Sequence, residues 1–234
     1  MKIYEGLEII DLGLYIKDYK ALVISDLQIG LEESLTKEGF FIPKLQFELI
    51  KKRLSSIFNK IKPDKLIING DLKHEFGFIN KQEWKETIQI IDFIAENCKE
   101  IIIIKGNHDV ILEPITNKRN ISLVDYYKME HICILHGHRI VLDSLNSKIL
   151  IIGHEHPAIS LKEGAKIEKY KCFLKGYYDD KILIVMPSFN MLSEGSDIMK
   201  GETLSPYLAQ NLFDFEVYIA EDKVYKFGKI KNLK

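Results

Sequence analysis

Five short apolar runs in this chain are each followed at once by residues of the types that commonly bind metal ions or phosphate in proteins. The five polar clusters, with the runs that they follow, are Asp26-Leu27-Gln28 after Leu22–Ser25, Gly70-Asp71 and His74 after Leu66–Asn69, Gly106-Asn107-His108-Asp109 after Ile101–Ile104, His136-Gly137-His138 after Ile132–Leu135, and Gly153-His154-Glu155-His156 after Ile149–Ile152. In open α/β sheets, ligands bind at the carboxyl ends of the strands. The pattern therefore predicts that all five clusters meet at a single active centre in an α/β protein.

The first half of the chain has the element order of a parallel sheet. Apolar residues recur with a helical period in Pro43–Ile61 and Gln82–Asn97, which predicts two amphipathic helices, the first opened by its proline. These helices alternate with the first three strands, Ala21–Ser25, Leu66–Asn69 and Ile101–Ile104, in a β-α-β-α-β rhythm. Before them, two short β-like runs are joined by turn residues; they are Leu7–Ile10 and Leu14–Lys17.

After Asp109 the strands follow one another more closely, and no convincing helix separates the fourth run from the fifth. Further short strands are predicted at Lys166–Leu174, Ile182–Met186, Phe213–Ile219 and Lys223–Phe227. This change in strand spacing suits two packed sheets with helices outside. The segment Glu194–Gln210 is largely polar, and the sequence leaves open whether it is an ordered flap or a surface loop.

Composition predicts a single cytoplasmic domain covering residues 1–234. No apolar run approaches the ~18 residues of a membrane span, and the N-terminus has an early acidic residue and no apolar signal segment. Cys98, Cys133 and Cys172 are odd in number and widely spaced, which predicts free buried thiols in a reducing compartment. We expect no membrane contact, and nothing in the sequence supports a homo-oligomer.

The charge balance bears on the partner. Lys and Arg total 33 against 34 acidic residues, for a formal net charge of -1. A protein that coats nucleic acid usually has a basic excess. A nucleic-acid substrate is still compatible with this balance, because bound metal cations supply a local positive field.

The clusters contain the ligand types that divalent cations use when they activate water at phosphorus, namely carboxylate, amide oxygen and imidazole. Two such cations held ~3.5–4 Å apart can clamp both oxygens of an in-line displacement. Asp71 is the natural bridging carboxylate, although a turn aspartate is the alternative for this residue alone. His154 and His156 are two apart, so in an extended segment both imidazoles would face one cavity. Asn107 is an amide-oxygen ligand candidate or a simple turn residue.

The ordered set of motifs resembles the calcineurin-like metallophosphoesterase superfamily, whose pattern is D-x-H, G-D, G-N-H-D or G-N-H-E, H, and G-H-x-H. The matches extend from Asp26 to His156 in the same order. Within the superfamily, the SbcD-related phosphoesterases of archaea and bacteria look closest, because Gly70-Asp71-Leu72-Lys73-His74 resembles their G-D-L-x-H. Gly153-His154-Glu155-His156-Pro157 and Met186-Pro187-Ser188-Phe189-Asn190 also resemble the compact single-domain branch of that group. The resemblance implies a four-layer αββα sandwich of two mixed β-sheets flanked by helices.

The resemblance also implies roles for individual residues. The ligands of one metal would be Asp26, Gln28, Asp71 and His156. Those of the other would be Asp71, Asn107, His136 and His154. His108 would be the general acid that protonates the leaving oxygen, Asp109 would orient it, and His74 would contact phosphate or support a ligand. His138 receives no firm role by this comparison and is expected to be supporting or structural.

Gln28 departs from the superfamily pattern, which usually has histidine at this position. A glutamine still offers an amide oxygen, a harder and weaker donor than imidazole. The first metal site is therefore expected to bind its cation more weakly than the second.

The function implied by the resemblance is that of a dinuclear-metal-dependent phosphodiesterase. It would act on nucleic acid (DNA or RNA, as a nuclease) or on nucleotide phosphodiesters, by in-line attack of a metal-bridging hydroxide. Mn²⁺ is the expected metal, with Fe, Zn, Ni and Mg as alternatives. Two rival functions remain at this point. One is a small-molecule phosphomonoesterase or cyclic-nucleotide phosphodiesterase with the same centre, and the other is a catalytically weak member used as a binding scaffold.

Overall fold

Two β-sheets lie at the centre of the molecule in a computed structural model, which describes residues 1–41, 43, 45–75, 81–164 and 166–233. Within these residues the first sheet has seven strands, ordered as they occur in the chain. They are β1 (Lys2–Tyr4), β2 (Leu7–Ile10), β3 (Gly13–Ile16), β4 (Ala21–Ile24), β5 (Lys65–Asn69), β6 (Glu100–Ile104) and β7 (Ser122–Val124). β1 to β4 are antiparallel and β4 to β7 are parallel, which confirms the expected parallel start.

Four α-helices accompany the first sheet among the described residues. They are α1 (Leu31–Lys37), α2 (Gln46–Lys60), α3 (Lys81–Ala95) and α4 (Glu113–Arg119). α2 buries Ile50, Leu54 and Ile57, which lie on one face of the helix because they are four and three residues apart. α3 buries Ile90, Ile91 and Ile94 in the same core cluster.

The boundaries of the two predicted helices differ from the structure. α2 begins at Gln46, so Pro43 lies outside it, and the Gln46 backbone N–H donates to the Glu32 carboxylate of α1. A side chain from another helix therefore caps α2, which local sequence does not reveal. α3 ends at Ala95, and the Asn97 side chain beyond it donates to the Phe93 carbonyl, an exposed carbonyl of the last turn.

The second sheet has nine strands in the described part of the chain. They are β8 (Tyr126–Met129), β9 (Ile132–Leu135), β10 (Ile149–Ile152), β11 (Pro157–Glu163), β12 (Lys166–Tyr178), β13 (Lys181–Val185), β14 (Ser196–Asp197), β15 (Glu216–Ala220) and β16 (Val224–Lys229). β9, β10 and β13 are parallel neighbours, so their carboxyl ends lie at one edge. β12 continues to Tyr178, past the predicted Leu174, because it pairs in succession with β11, β15 and β13. β15 begins at Glu216 instead of Phe213.

Strand alternation explains how the second sheet separates two apolar clusters. Ile134 and Ile151 join the cluster that contains the first sheet, whereas Cys133 and Leu150 join a second cluster. Tyr207, Leu208, Leu212 and Phe215 cover that second cluster from outside the sheet. The predicted fold class is confirmed, and in the described residues the outermost layer on this side consists of short 3-10 helices at 142–146, 198–200, 206–208 and 230–232.

The segment Glu194–Gln210 is ordered and packed. β14 pairs with β11, and the buried Tyr207 hydroxyl accepts from the Val141 backbone N–H at 3.0 Å. Part of the segment is therefore packed against the second sheet, whereas Glu194, Leu204 and the turn at 200–202 are exposed.

Two further expectations concern the chain as a whole. Cys98, Cys133 and Cys172 are buried and unbridged, as expected. A helix of the length and apolarity needed to cross a membrane is not found in the described ranges.

Candidate metal centre

The five predicted loops meet at the carboxyl ends of β4, β5, β6, β9 and β10. Backbone hydrogen bonds tie them to each other: Asp26 N–H donates to Gly70 O at 3.1 Å, and Gln28 N–H donates to Asp71 O at 2.8 Å. The two sheets are joined here as well, since the His154 backbone N–H donates to Asp26 Oδ2 at 3.1 Å. The convergence predicted from the strand ends is present in the structure.

The residues expected to bind metal have an unusual backbone. Five of them have left-handed φ angles: Asp26 (55°), Gln28 (45°), Asp71 (46°), His154 (63°) and His156 (48°). The expectation that His154 and His156 lie in an extended segment is therefore wrong. The loop turns sharply instead, with Glu155 N–H donating to Gly153 O at 2.7 Å. The two imidazoles reach the same centre by this turn.

The carboxylate of Asp26 is fully buried and is surrounded by polar groups of neighbouring residues. Its Oδ2 accepts from the Ser25 hydroxyl at 2.5 Å and from the His154 N–H. Its Oδ1 lies 3.1 Å from His156 Nε2 and 3.6 Å from His136 Nδ1. Burial alone would raise the pKa of Asp26, but the charges of His156 and His136 reverse this and lower it.

A second group surrounds Asp71. One potential ligand atom each from Asp71, His136 and His154 lies within 4.8 Å of the others. His136 Nε2 is 3.1 Å from Asn107 Oδ1 and 3.4 Å from Asp71 Oδ2. His136 Nδ1 lies 3.2 Å from the Asn69 carbonyl, to which it donates in the tautomer that leaves Nε2 free to bind a cation.

The electrostatics of this group follow from burial and from the two carboxylates. Burial opposes charge on Asp71, yet the hydrogen bond and charge of His136 lower the pKa of Asp71 to about 2. Burial likewise opposes charge on His136, but Asp71 and Asp26 raise its pKa to about 9. Burial and the neighbouring His136 both lower the pKa of His154 to about 4, so its imidazole is neutral at pH 7.

These residues fit divalent cations. Asp26 Oδ1 and His156 Nε2 are buried, and neither makes a hydrogen bond of acceptable geometry with any of the described residues. Buried polar atoms of this kind normally have a partner, and carboxylate oxygen and imidazole nitrogen are both ligand types of divalent transition metals. Glycine is required beside them: a Cβ at Gly106 would overlap Asp71 Oδ1, and one at Gly153 would overlap the Ser25 hydroxyl.

His108 and His74 lie together beside Asp71. Their rings are stacked, with centroids 5.7 Å apart, and His108 Nδ1 contacts the His74 carbonyl oxygen. His108 Nε2 is 3.8 Å from Asp71 Oδ2, so the ring reaches the centre with that nitrogen. The backbone carbonyl of His74 thus holds the His108 ring.

Asp109 bonds to the backbone of two loops of the centre. Its carboxylate accepts from the backbone N–H groups of Gly106 at 3.0 Å, Leu72 at 3.3 Å and Lys73 at 3.4 Å. Asp109 therefore joins the loops after β5 and β6, next to His108 in the chain; its orienting role toward the His108 ring stays a prediction. Burial and the nearby Asp71 raise the pKa of Asp109 to about 6.

Gln28 and His138 lie at the same centre. Gln28 is buried and its backbone is fixed by the bond to Asp71 O; metal binding by its side chain remains a prediction. The His138 ring is 5.3 Å from the His136 ring and 6.1 Å from the His154 ring. Burial and the charge of His136 lower the pKa of His138 to about 4.

Several residues of the centre lie in motifs quoted from the sequence but received no role from it. Glu155, between His154 and His156 in the chain, is fully buried and accepts from the backbone N–H groups of Leu204 at 2.8 Å and Ser205 at 2.9 Å. These bonds fix the loop after β10 to the segment Glu194–Gln210. Ser188 and Asn190 follow β13 and contact the Asp26 loop. The rule that polar residues at strand ends meet would have found this pair, because β13 is parallel to β10.

Comparisons with known proteins agree with the geometry. The sequence model of the family described as "Calcineurin-like phosphoesterase" matches residues 19–214. The structure is similar to that of nuclease MPE from Pseudomonas putida, with 20% identity, 94% of each chain covered and a TM-score of 0.67. It is also similar to Yfce, a phosphoesterase from E. coli, with 14% identity, 84% of this chain and 86% of that chain covered, and a TM-score of 0.40. A search of curated proteins gives no match.

Proposed function

Because this chain belongs to the calcineurin-like phosphoesterase family and is a metal-dependent phosphoester hydrolase, we propose that its substrate is a phosphodiester of a nucleic acid or nucleotide. The observation that carries a dinuclear centre is the position of Asp71. Its carboxylate lies close to His136 and His154, of which His136 also faces Asn107 Oδ1, and its loop is bonded to the Asp26 loop on the other side. The similarity to the Pseudomonas putida nuclease over 94% of both chains supports the choice of substrate.

In this proposal, Asp26, Gln28, Asp71 and His156 hold one cation, and Asp71, Asn107, His136 and His154 hold the other. When bound, such a pair of cations activates water at neutral pH and neutralises charge on the phosphate oxygens. The remaining groups of the chain orient these ligands. Asp71 Oδ1 accepts a hydrogen bond from the backbone N–H of His108 at 3.0 Å, which fixes the orientation of the Asp71 carboxylate. The backbone carbonyl of Asn69 accepts from His136 Nδ1 and so fixes the orientation of the His136 ring.

His108 supplies the proton for the leaving oxygen. Since Nδ1 is held by the His74 carbonyl, Nε2 is the nitrogen that faces the centre. An imidazolium in this position donates a proton from Nε2 and keeps the Nδ1–H bond throughout. Mn²⁺ is the metal that we propose, because it accepts the oxygen ligands of this set as well as imidazole.

The test is hydrolysis by the purified protein with added Mn²⁺. We expect bis-p-nitrophenyl phosphate and single-stranded DNA to be cleaved, with p-nitrophenyl phosphate cleaved more slowly. Asp71→Ala should remove activity while the far-ultraviolet circular dichroism stays unchanged. Preference for the monoester would support the phosphomonoesterase alternative, no activity on any substrate would support the scaffold, and an active Asp71→Ala protein would rule out the bridging role.

A further inference from the structure

The segment Ser188–Ser193 is held against the loop that carries two of the proposed ligands of the first metal. The Ser188 hydroxyl donates to Asp26 O at 2.8 Å. The Asn190 Nδ2 amide donates to Leu27 O at 2.9 Å and to Gln28 O at 3.2 Å. Both side chains are buried, so these bonds are made in the interior of the protein.

The same segment also contacts His156, another proposed ligand of the first metal. Asn190 Oδ1 accepts from the Ser193 backbone N–H at 3.3 Å, and Ser193 Oγ lies 3.2 Å from His156 Nδ1. His156 Nε2 faces Asp26 Oδ1. A histidine that binds a cation through Nε2 carries its proton on Nδ1, and a fixed acceptor there sets both the tautomer and the ring orientation.

A half-buried lysine fixes the segment from the other side. Lys171 of β12 donates through Nζ to Ser188 O at 2.8 Å and also to Asn190 O. Burial lowers the pKa of Lys171 to about 7, and the ammonium and amine forms both have N–H groups for these bonds. The segment is therefore held between β12 and the Asp26 loop.

We propose that Asn190 and Ser193 are positioning residues for the first metal site, and that Lys171 fixes the segment to which they belong. This inference rests on the proposed two-metal function. Asn190 sets the backbone that carries Asp26 and Gln28, and Ser193 sets the ring of His156. The side chains of Ser188, Asn190 and Ser193 bond to the loop that carries Asp26 and Gln28 and to His156, so their loss should affect the first site selectively.

The test is calorimetric titration of the whole protein with Mn²⁺. The first-site transition is identified by its absence in His156→Ala. Ser193→Ala should raise the dissociation constant of Mn²⁺ for that transition by about 10-fold or more, the usual effect of removing a group that orients a ligand. The dissociation constant of the other transition should stay unchanged. Ser193→Thr, which retains a hydroxyl, should restore the first-site transition. Asn190→Asp, which turns an oxygen toward two carbonyls, should weaken the same transition and serves as the second variant.

Ser144→Ala is the matched control, because it removes a buried hydroxyl that donates to Val141 O at 2.6 Å, away from the centre. It should lower the melting temperature without changing either Mn²⁺ transition. Two Mn²⁺ transitions in the wild type that Ser193→Ala and Asn190→Asp leave unchanged would overturn the positioning role and leave the proposed function intact. Equal weakening of both transitions would overturn it too, since that would indicate general loosening. A wild type that binds no Mn²⁺ would overturn the proposed function itself.

Discussion

A left-handed backbone costs a non-glycine residue about 1–3 kcal/mol when the surrounding structure imposes it. Five of the residues proposed to bind metal have this conformation, Asp26, Gln28, Asp71, His154 and His156. The residue types revealed the chemistry, because carboxylates and imidazoles at strand ends are informative in themselves. Their backbone conformation was not predictable, since it depends on bonds between loops that are far apart in sequence. The bond from His154 N–H to Asp26 Oδ2 is an example.

The role of His108 predicts a substrate-dependent loss. His108→Ala should keep both cations and lose about 10²–10⁴-fold in rate on DNA, because an alkoxide leaving group needs a proton. The loss should be smaller on bis-p-nitrophenyl phosphate, whose leaving group scarcely needs one. Steady-state rates on both substrates measure this, with His131→Ala at an exposed histidine as the control. Equal losses on both substrates would indicate simple phosphate binding by His108.

Gln28 predicts unequal metal affinities. An amide oxygen donates less strongly than imidazole, so the first site should bind Mn²⁺ more weakly than the second site does. The affinity of the first site for Zn²⁺ should be reduced more than its affinity for Mn²⁺, because Zn²⁺ favours imidazole. Gln28→His should tighten the first site and lower the Mn²⁺ concentration for half-maximal rate. Calorimetric titration compares the two proteins, and Gln89→His, on the exposed face of α3, is the control. Two equally tight sites in the wild type, unchanged by the substitution, would show that Gln28 does not weaken the first site or is not a ligand.

At the level of elements, sequence patterns located the wholly apolar strands most accurately, shifted the bounds of mixed strands such as β12 and β16, and missed other mixed strands altogether. β9 and β10 were predicted with their observed bounds. β8 and β11 were missed because their residues are mixed, and they are strands because β9 and β12 offer them partners. α4 was missed for a similar reason, since it has seven residues and buries Ile115 and Thr116. The proposed metal ligands were predictable because they follow strands that are mostly apolar.

The ion pairs of β15 predict how stability depends on acidity. Burial would raise the pKa of Glu216, but hydrogen bonds from Lys175, Lys226 and Tyr218 lower it to about 2, from 4.5. A lowered folded-state pKa stabilises the protein above the unfolded-state value and loses this effect as the pH falls from about 4.5 towards 2. Glu216→Gln should therefore be less stable at pH 7, by at most about 1 kcal/mol for such partly exposed pairs.

Urea denaturation of Glu216→Gln and the wild type at pH 7, 5 and 3 measures this difference, which should shrink between pH 5 and pH 3. Glu202→Gln, at an exposed glutamate, is the control and should show no difference at any pH. A difference that stayed constant over this range would mean that the ion pairs of Glu216 do not account for it.

At the level of the whole molecule, the centre joins two sheets that are built from consecutive parts of the chain. The first sheet uses residues 2–124 and the second uses residues 126–229. The proposed ligands Asp26, Asp71 and Asn107 belong to the first part, and His136, His154 and His156 belong to the second. Bound cations should therefore stabilise the contact between the sheets as well as the loops themselves.

Added Mn²⁺ should raise the melting temperature. At a free concentration 100 times the dissociation constant, one site contributes about 2.7 kcal/mol, which is about 5–10 °C for a chain of this size. Thermal denaturation with Mn²⁺ and then with a chelator measures the shift, and Asp71→Ala should lose most of it. A melting temperature that does not respond to millimolar Mn²⁺ would argue against any tight site.

Among the described strands the chain passes from the first sheet to the second once, at Asp125, which makes the two halves natural fragments. Each half contains all the strands of its own sheet, yet each proposed cation site takes ligands from both. Expressed as separate polypeptides, neither half would have a complete centre, and catalysis would appear only when the two associate. Hydrolysis by a mixture of the fragments would then report their assembly directly.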